Sequence, residues 1–187
     1  MVNQSSNAQK GFTLVELILV IGLLAISVGV TNDVLISLIR VNSKTQIINE
    51  IEQQANFVSL KIEKELRNAR NAAVSEEGTR LSFETRDGNE IEYKVYNADT
   101  GGIIKRIEGG EEFDLTWDGK EGEGTGVGGV LVTCALSGSD PICFTVTGTS
   151  PQIVSISMTF SQSQTTLVAS FSGNIDINNS IVIRNTY

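Results

Sequence analysis

From Phe12 to Val30 the only residues that are not apolar are Thr13, Glu16 and Ser27, and the lone carboxylate in that run limits what the chain can be. At about 1.5 Å per helical residue the run reaches roughly 28 Å, close to the thickness of a bilayer's hydrocarbon core. The core helix of a water-soluble protein would show a polar face at 3.6 spacing, and this segment has none. A carboxylate at bilayer depth costs roughly 2.5–3.5 kcal/mol, which calls for a partner charge. The simpler alternative is that Glu16, about 6 Å into the span, snorkels to the interface.

The flanks set the orientation. Residues 1–9 are small or polar and uncharged apart from the terminus, and Lys10-Gly11 directly precedes the apolar run. A secretory signal peptide would instead have a basic start, a shorter apolar core and a small-residue cleavage site after that core. Lys10 before the run and Asp33 beyond it favour a cytoplasmic N-terminus, hence a single span with most of the chain exported.

Gly11-Phe12-Thr13-Leu14-Val15-Glu16 resembles the processing site of type IV pilins and the related pseudopilins. The resemblance implies that prepilin peptidase cuts between Gly11 and Phe12, removing residues 1–11 as a leader, and that the new N-terminal Phe12 is N-methylated. It also implies that Glu16 sets axial register during assembly. The implied partners are prepilin peptidase, other pilin or pseudopilin subunits, an inner-membrane assembly platform and membrane lipid. Physical chemistry supplies a reason for the pattern. Cutting before Phe12 frees an amine that is mostly positive near neutral pH. Glu16 is placed to offset that charge on a neighbouring subunit, or within its own helix four residues away.

Beyond the span, apolar residues recur at Ile48, Ile51, Ala55, Val58, Ile62, Leu66 and Ala69 in alternating steps of three and four, which predicts an amphipathic helix. No proline precedes Pro141, so the helix is expected to continue from the span to about Ala73, stopping at Glu76-Glu77-Gly78. Residues 31–74 form this extension. Glu63 and Arg67, four apart in the favourable order, add a few tenths of a kcal/mol. The polar segment Asn42–Gln46 is where the helix would bend or loosen.

From Thr79 the period falls to 2. Strands are expected around Leu81–Phe83, Ile91–Val95, Ile103–Ile107, Glu112–Trp117, Val130–Leu136, Ile142–Thr147, Val154–Phe160, Thr165–Phe171 and Ile181–Arg184, with Asp87-Gly88 as a turn. The expected fold is therefore α+β: a long N-terminal helix, membrane-spanning in its first half, packed against an antiparallel β-sheet domain over residues 75–187. This layout, with Leu60–Ala69 and Ile181–Asn185, also resembles the larger minor pilins and the J-type pseudopilin of type II secretion.

Few residues suggest chemistry. Cys134 and Cys143 flank the turn-rich Ser137-Gly138-Ser139-Asp140-Pro141 on the exported side. An oxidising exterior favours a disulfide between them, worth roughly 2–3 kcal/mol by loop entropy, against two buried free thiols. A zinc site lacks ligands, because there is no histidine and no further cysteine. The absence of histidine also excludes an ordinary Ser-His-Asp or Cys-His unit. Gly124–Gly129 fits a dinucleotide-binding pattern literally, but a strand is expected after it rather than the helix that would hold a pyrophosphate. The Asp118–Gly129 stretch reads as a surface loop, and Asp118, Glu121 and Glu123 lack the order of a calcium loop. Acid pairs such as Glu76-Glu77 and Glu111-Glu112 fall in turns and read as solvated charge, so no enzyme and no cofactor is expected.

The formal net charge is −8, and loss of Lys10 with the leader makes it more acidic, so direct nucleic-acid binding is not expected. The expected function is a structural subunit, a minor pilin or pseudopilin, of a type IV pilus-like filament. It would be inserted in the bacterial inner membrane as a precursor and would end in the periplasm or at the cell surface. Pilus, competence and type II secretion roles all fit this pattern. The alternative is a membrane-anchored extracytoplasmic binding module that joins no filament.

Overall fold

A computed structural model describes residues 12–75, 77–117, 129–138, 140–162 and 173–183. The chain divides into two compact units, the first ending at Ser43 and the second covering Lys44–Tyr187. The expected leader, the loop over residues 118–128, the strand Thr165–Phe171 and Arg184 lie outside the described residues.

The single helix α1 spans Leu14–Leu66. It is helical through Asn42–Gln46, where loosening was expected, because no residue there removes a backbone donor. In the second unit its buried stripe is Ile51, Ala55, Val58, Ile62 and Leu66, as the spacing predicts.

The helix ends seven residues short of Ala73. Arg67 and Asn68 turn out of it, with Asn68 N–H donating to the Glu65 carbonyl at 3.0 Å and the Asn68 side chain reaching the Lys64 carbonyl at 3.4 Å. A side-chain amide that bonds the last turn competes with helix continuation. The chain then enters β1, Ala69–Val74, so the last part of the expected 31–74 extension is a strand. Ala69 continues the three-and-four spacing of the helix, yet Ala69 and Ala72 are buried from a strand rather than from a helical face.

The β region forms two antiparallel sheets, not one. The first is a meander of β1, β2 (Arg80–Thr85), β3 (Glu90–Val95), β4 (Ile104–Glu108) and β5 (Glu111–Asp114), in chain order. Asp87-Gly88 turns β2 into β3 as expected. Gly109 and Gly110, both at positive φ (61° and 88°), form the two-residue turn before β5. The second sheet contains β6 (Val130–Ser137), β7 (Asp140–Ile142), β8 (Phe144–Thr147), β9 (Gln152–Gln162) and β10 (Asn174–Ile183). Its path is β10-β9-β6-β7, with β8 also paired to β9. The expected Ile142–Thr147 strand breaks at Cys143, whose N–H bonds the Gly78 carbonyl at 2.9 Å instead of continuing a ladder. β10 begins at Asn174, well before the expected Ile181, because its alternation of exposed and half-buried residues is mostly polar.

The two sheets share one apolar core, in which Tyr93, Phe144 and Phe160 are the largest fully buried side chains. Backbone contacts stitch them together. Gly102 and Val132 exchange hydrogen bonds of 3.1 and 2.8 Å, and a side chain at Gly102 would run into the Tyr96 carbonyl. The Gln152 amide accepts from Ala72 N–H at 3.0 Å and donates to the Ala72 carbonyl at 3.3 Å, acting as one more strand residue at the edge of β1.

Candidate processing and assembly segment

The first turn of α1 is built around Thr13. Its Oγ1 accepts from Glu16 N–H at 3.3 Å, and its carbonyl accepts from Glu16 and Leu17 N–H at 3.1 and 3.2 Å. Thr13 is thus the N-cap and Glu16 the third helical residue, the Thr-x-x-Glu spacing of a capping box. The sequence marks Glu16 as a charge in need of a partner and, by resemblance, as a register residue; the cap is a further role, legible in the same four residues. An acid here also faces the positive end of the helix dipole. Glu16 therefore stabilises the helix start whatever else it meets.

Phe12 lies just ahead of the cap and is 79% exposed. Gly11, the other half of the expected cleavage site, lies outside the described residues. Every apolar residue of α1 up to Val41 is exposed, and the most apolar 18-residue window, with mean hydropathy 2.5, has none of its residues buried. The helix is long and apolar enough to cross a membrane. Its hydroxyls suit such a medium: Thr31 Oγ1 donates to the Ser27 carbonyl at 2.8 Å and Ser43 Oγ to the Ile39 carbonyl at 3.0 Å. Donors satisfied within the helix lower the cost of leaving water.

The second unit holds its polar groups differently. Glu65, on the last turns of α1, accepts from Tyr93 Oη at 2.6 Å and from Arg106 Nε at 3.1 Å to each carboxylate oxygen, and pairs with Lys61 at 3.1 Å. Arg106 also reaches Glu108 at 2.7 Å. Burial pushes the Glu65 carboxyl up, but the hydrogen bonds from Tyr93, Arg106 and Lys61 outweigh it and hold it below the usual carboxylate range. Burial and the Glu65 hydrogen bond together push the Tyr93 hydroxyl far up, so it stays a donor. The network ties helix to sheet and offers no open reactive group.

Cys134 and Cys143 are joined as a disulfide, with Cα atoms 4.8 Å apart and both residues buried. Among the described residues no group of three or more His, Cys, Asp or Glu side chains comes together to hold a metal ion. Asp118, Glu121 and Glu123 fall outside those residues.

Residues 6–31 match the model of the prokaryotic N-terminal methylation motif. The match supports a precursor of the type IV pilin or pseudopilin type. No curated protein and no solved structure matches the chain. The match covers Gly11–Glu16 and stops where α1 leaves its uninterrupted apolar run; it does not reach Leu60–Ala69 or Ile181–Asn185. The motif implies processing by prepilin peptidase and assembly with other pilin subunits, and it fits a membrane-anchored precursor.

Proposed function

We propose that the chain is a structural subunit, of the minor pilin or pseudopilin kind, in a type IV pilus-like filament, and that it is not an enzyme. The observation that carries this is the wholly exposed apolar face of α1 from Leu14 to Val41 with a capped carboxylate in its first turn. Such a surface needs lipid first and protein later. Cleavage after Gly11 removes residues 1–11 and leaves Phe12 as the N-methylated terminus. Its positive amine is the partner that makes a carboxylate tolerable in apolar surroundings, and Glu16 of an adjacent subunit supplies that carboxylate. The precursor sits in the inner membrane with its N-terminus in the cytoplasm. An inner-membrane platform then lifts it into the filament, and the two-sheet unit is presented in the periplasm or at the cell surface.

Mass spectrometry of the N-terminus of protein isolated from its native cell tests this reading. The expected product begins at N-methylated Phe12; a working form that retains residues 1–11 would overturn the proposal. Substitution at Gly11 is expected to leave the precursor uncut. Two variants separate the roles of Glu16. Glu16→Gln keeps a capping-box side chain and removes the charge, whereas Glu16→Ala removes both. Both are expected to insert in the membrane and to fail incorporation into filaments. Normal incorporation of Glu16→Gln would reduce Glu16 to a helix cap.

A further inference from the structure

After Glu16, the next charged residues of α1 are Asp33 and Arg40. Among the described residues neither makes an ion pair. Both lie in an apolar surface: Val34, Leu35, Ile36, Leu38, Ile39 and Val41 are all exposed around them. Seven helical residues separate the two by about 10.5 Å along the axis and about 20° around it. They share a face, yet they are too far apart for the three- or four-residue spacing at which side chains pair within a helix.

We propose that a second copy of this chain docks on the Asp33–Arg40 face, parallel and axially staggered, so that Asp33 of one copy pairs with Arg40 of the other. The inference rests on the filament-subunit reading above and adds a second contact to it. Covering the exposed leucines, isoleucines and valines removes Asp33 from water, which is costly unless the covering surface brings a cation. A copy of the same face brings Arg40. Alignment without stagger would set Asp33 against Asp33 and Arg40 against Arg40, so the charge pattern opposes it. An antiparallel pair is incompatible with a common N-terminal anchor in one membrane.

A guanidinium on a helix leans toward the N-terminus, which shortens the offset needed to meet Asp33 below about 10.5 Å. The Phe12–Glu16 spacing corresponds to about 6 Å. Glu16 and Asp33 lie about 100° apart around the helix, so the two contacts occupy different sides and can engage different neighbours. A staggered contact leaves Asp33 free on one copy and Arg40 free on the other. It is heterologous and repeats without closing, as a filament requires.

The test uses the full chain, expressed in its native cell as two differently tagged copies and extracted in mild detergent. Co-purification of the two tags is expected for the wild type. It should fall about tenfold or more in Asp33→Arg and in Arg40→Asp, and should return to within about twofold in the double variant, where the pair is reversed. Singles that behave as wild type, a double variant that does not recover, or co-purification with other pilin subunits alone would each overturn the second-copy contact. The N-terminal mass is read on the same samples. A processed Phe12 terminus with no charge effect sinks only this contact, whereas an unprocessed wild-type terminus sinks the filament reading itself.

Discussion

Ile21 and Ile62 are the same residue in the same helix, yet Ile21 is 57% exposed and Ile62 is fully buried. Up to Ser43, the apolar side chains of α1 are exposed. From Lys44 onward its apolar stripe narrows to one face, and two sheets cover that face. The first, an exposed apolar stretch of this length, suits lipid or neighbouring chains rather than water. The second has its partner built in. The polar groups follow the same division. Among the described residues Glu16, Asp33 and Arg40 make no ion pair, whereas Glu65 and Arg106 pair with each other.

Equal substitutions in the two stretches break the comparison most directly. Leu66 is fully buried and Leu24 is 59% exposed. Leu66→Ala is expected to cost about 2–5 kcal/mol in unfolding of the β region, through lost burial and the cavity left behind. Leu24→Ala should change that transition by no more than about 0.5 kcal/mol. Both are measured on the full chain in detergent, following the near-ultraviolet signal of the second unit. Similar losses from the two variants would mean that the front of α1 is part of the folded core after all.

The two stretches also differed in how far the sequence revealed them. The long apolar helix at the front was legible from hydropathy, which is a local signal. The Thr13 cap is local too, carried by its spacing to Glu16. In the second stretch the helical stripe was legible from Ile51 to Leu66 by its spacing. The boundary at Asn68 was not, because a strand pairing from Ala69 to Thr85 decides it, and pairing is not a local property. The same holds for the split into two sheets, which depends on Gly102, Gly78 and Gln152 meeting residues far along the chain. The Cys134–Cys143 link was anticipated because the turn between the two cysteines is short.

That link supplies the second way to sharpen the contrast. It closes a short loop in the second unit, and Cys134→Ser with Cys143→Ser is expected to cost about 2–3 kcal/mol through the freed unfolded chain. The loss should appear as a lower unfolding midpoint of the β region, with membrane insertion and N-terminal processing unchanged. A simultaneous loss of processing would show that the two stretches are not independent.

The smallest expected effect falls on the charged network that replaces an external partner. Glu65→Gln keeps an acceptor for Tyr93 and removes the charge facing Arg106 and Lys61, so a cost of about 1–2 kcal/mol is expected at neutral pH. The pH dependence gives the sharper signature. Since the folded carboxyl of Glu65 titrates below its ordinary value, its contribution is complete above the unfolded value of about 4.3 and disappears as the pH falls through the depressed folded value. The wild type and Glu65→Gln should therefore differ at pH 7 and converge in acid. Unfolding midpoints of the full chain in detergent across that range measure the gap. A gap that stays constant into strong acid would mean that Glu65 contributes through shape alone, and that its charge does not hold helix to sheet.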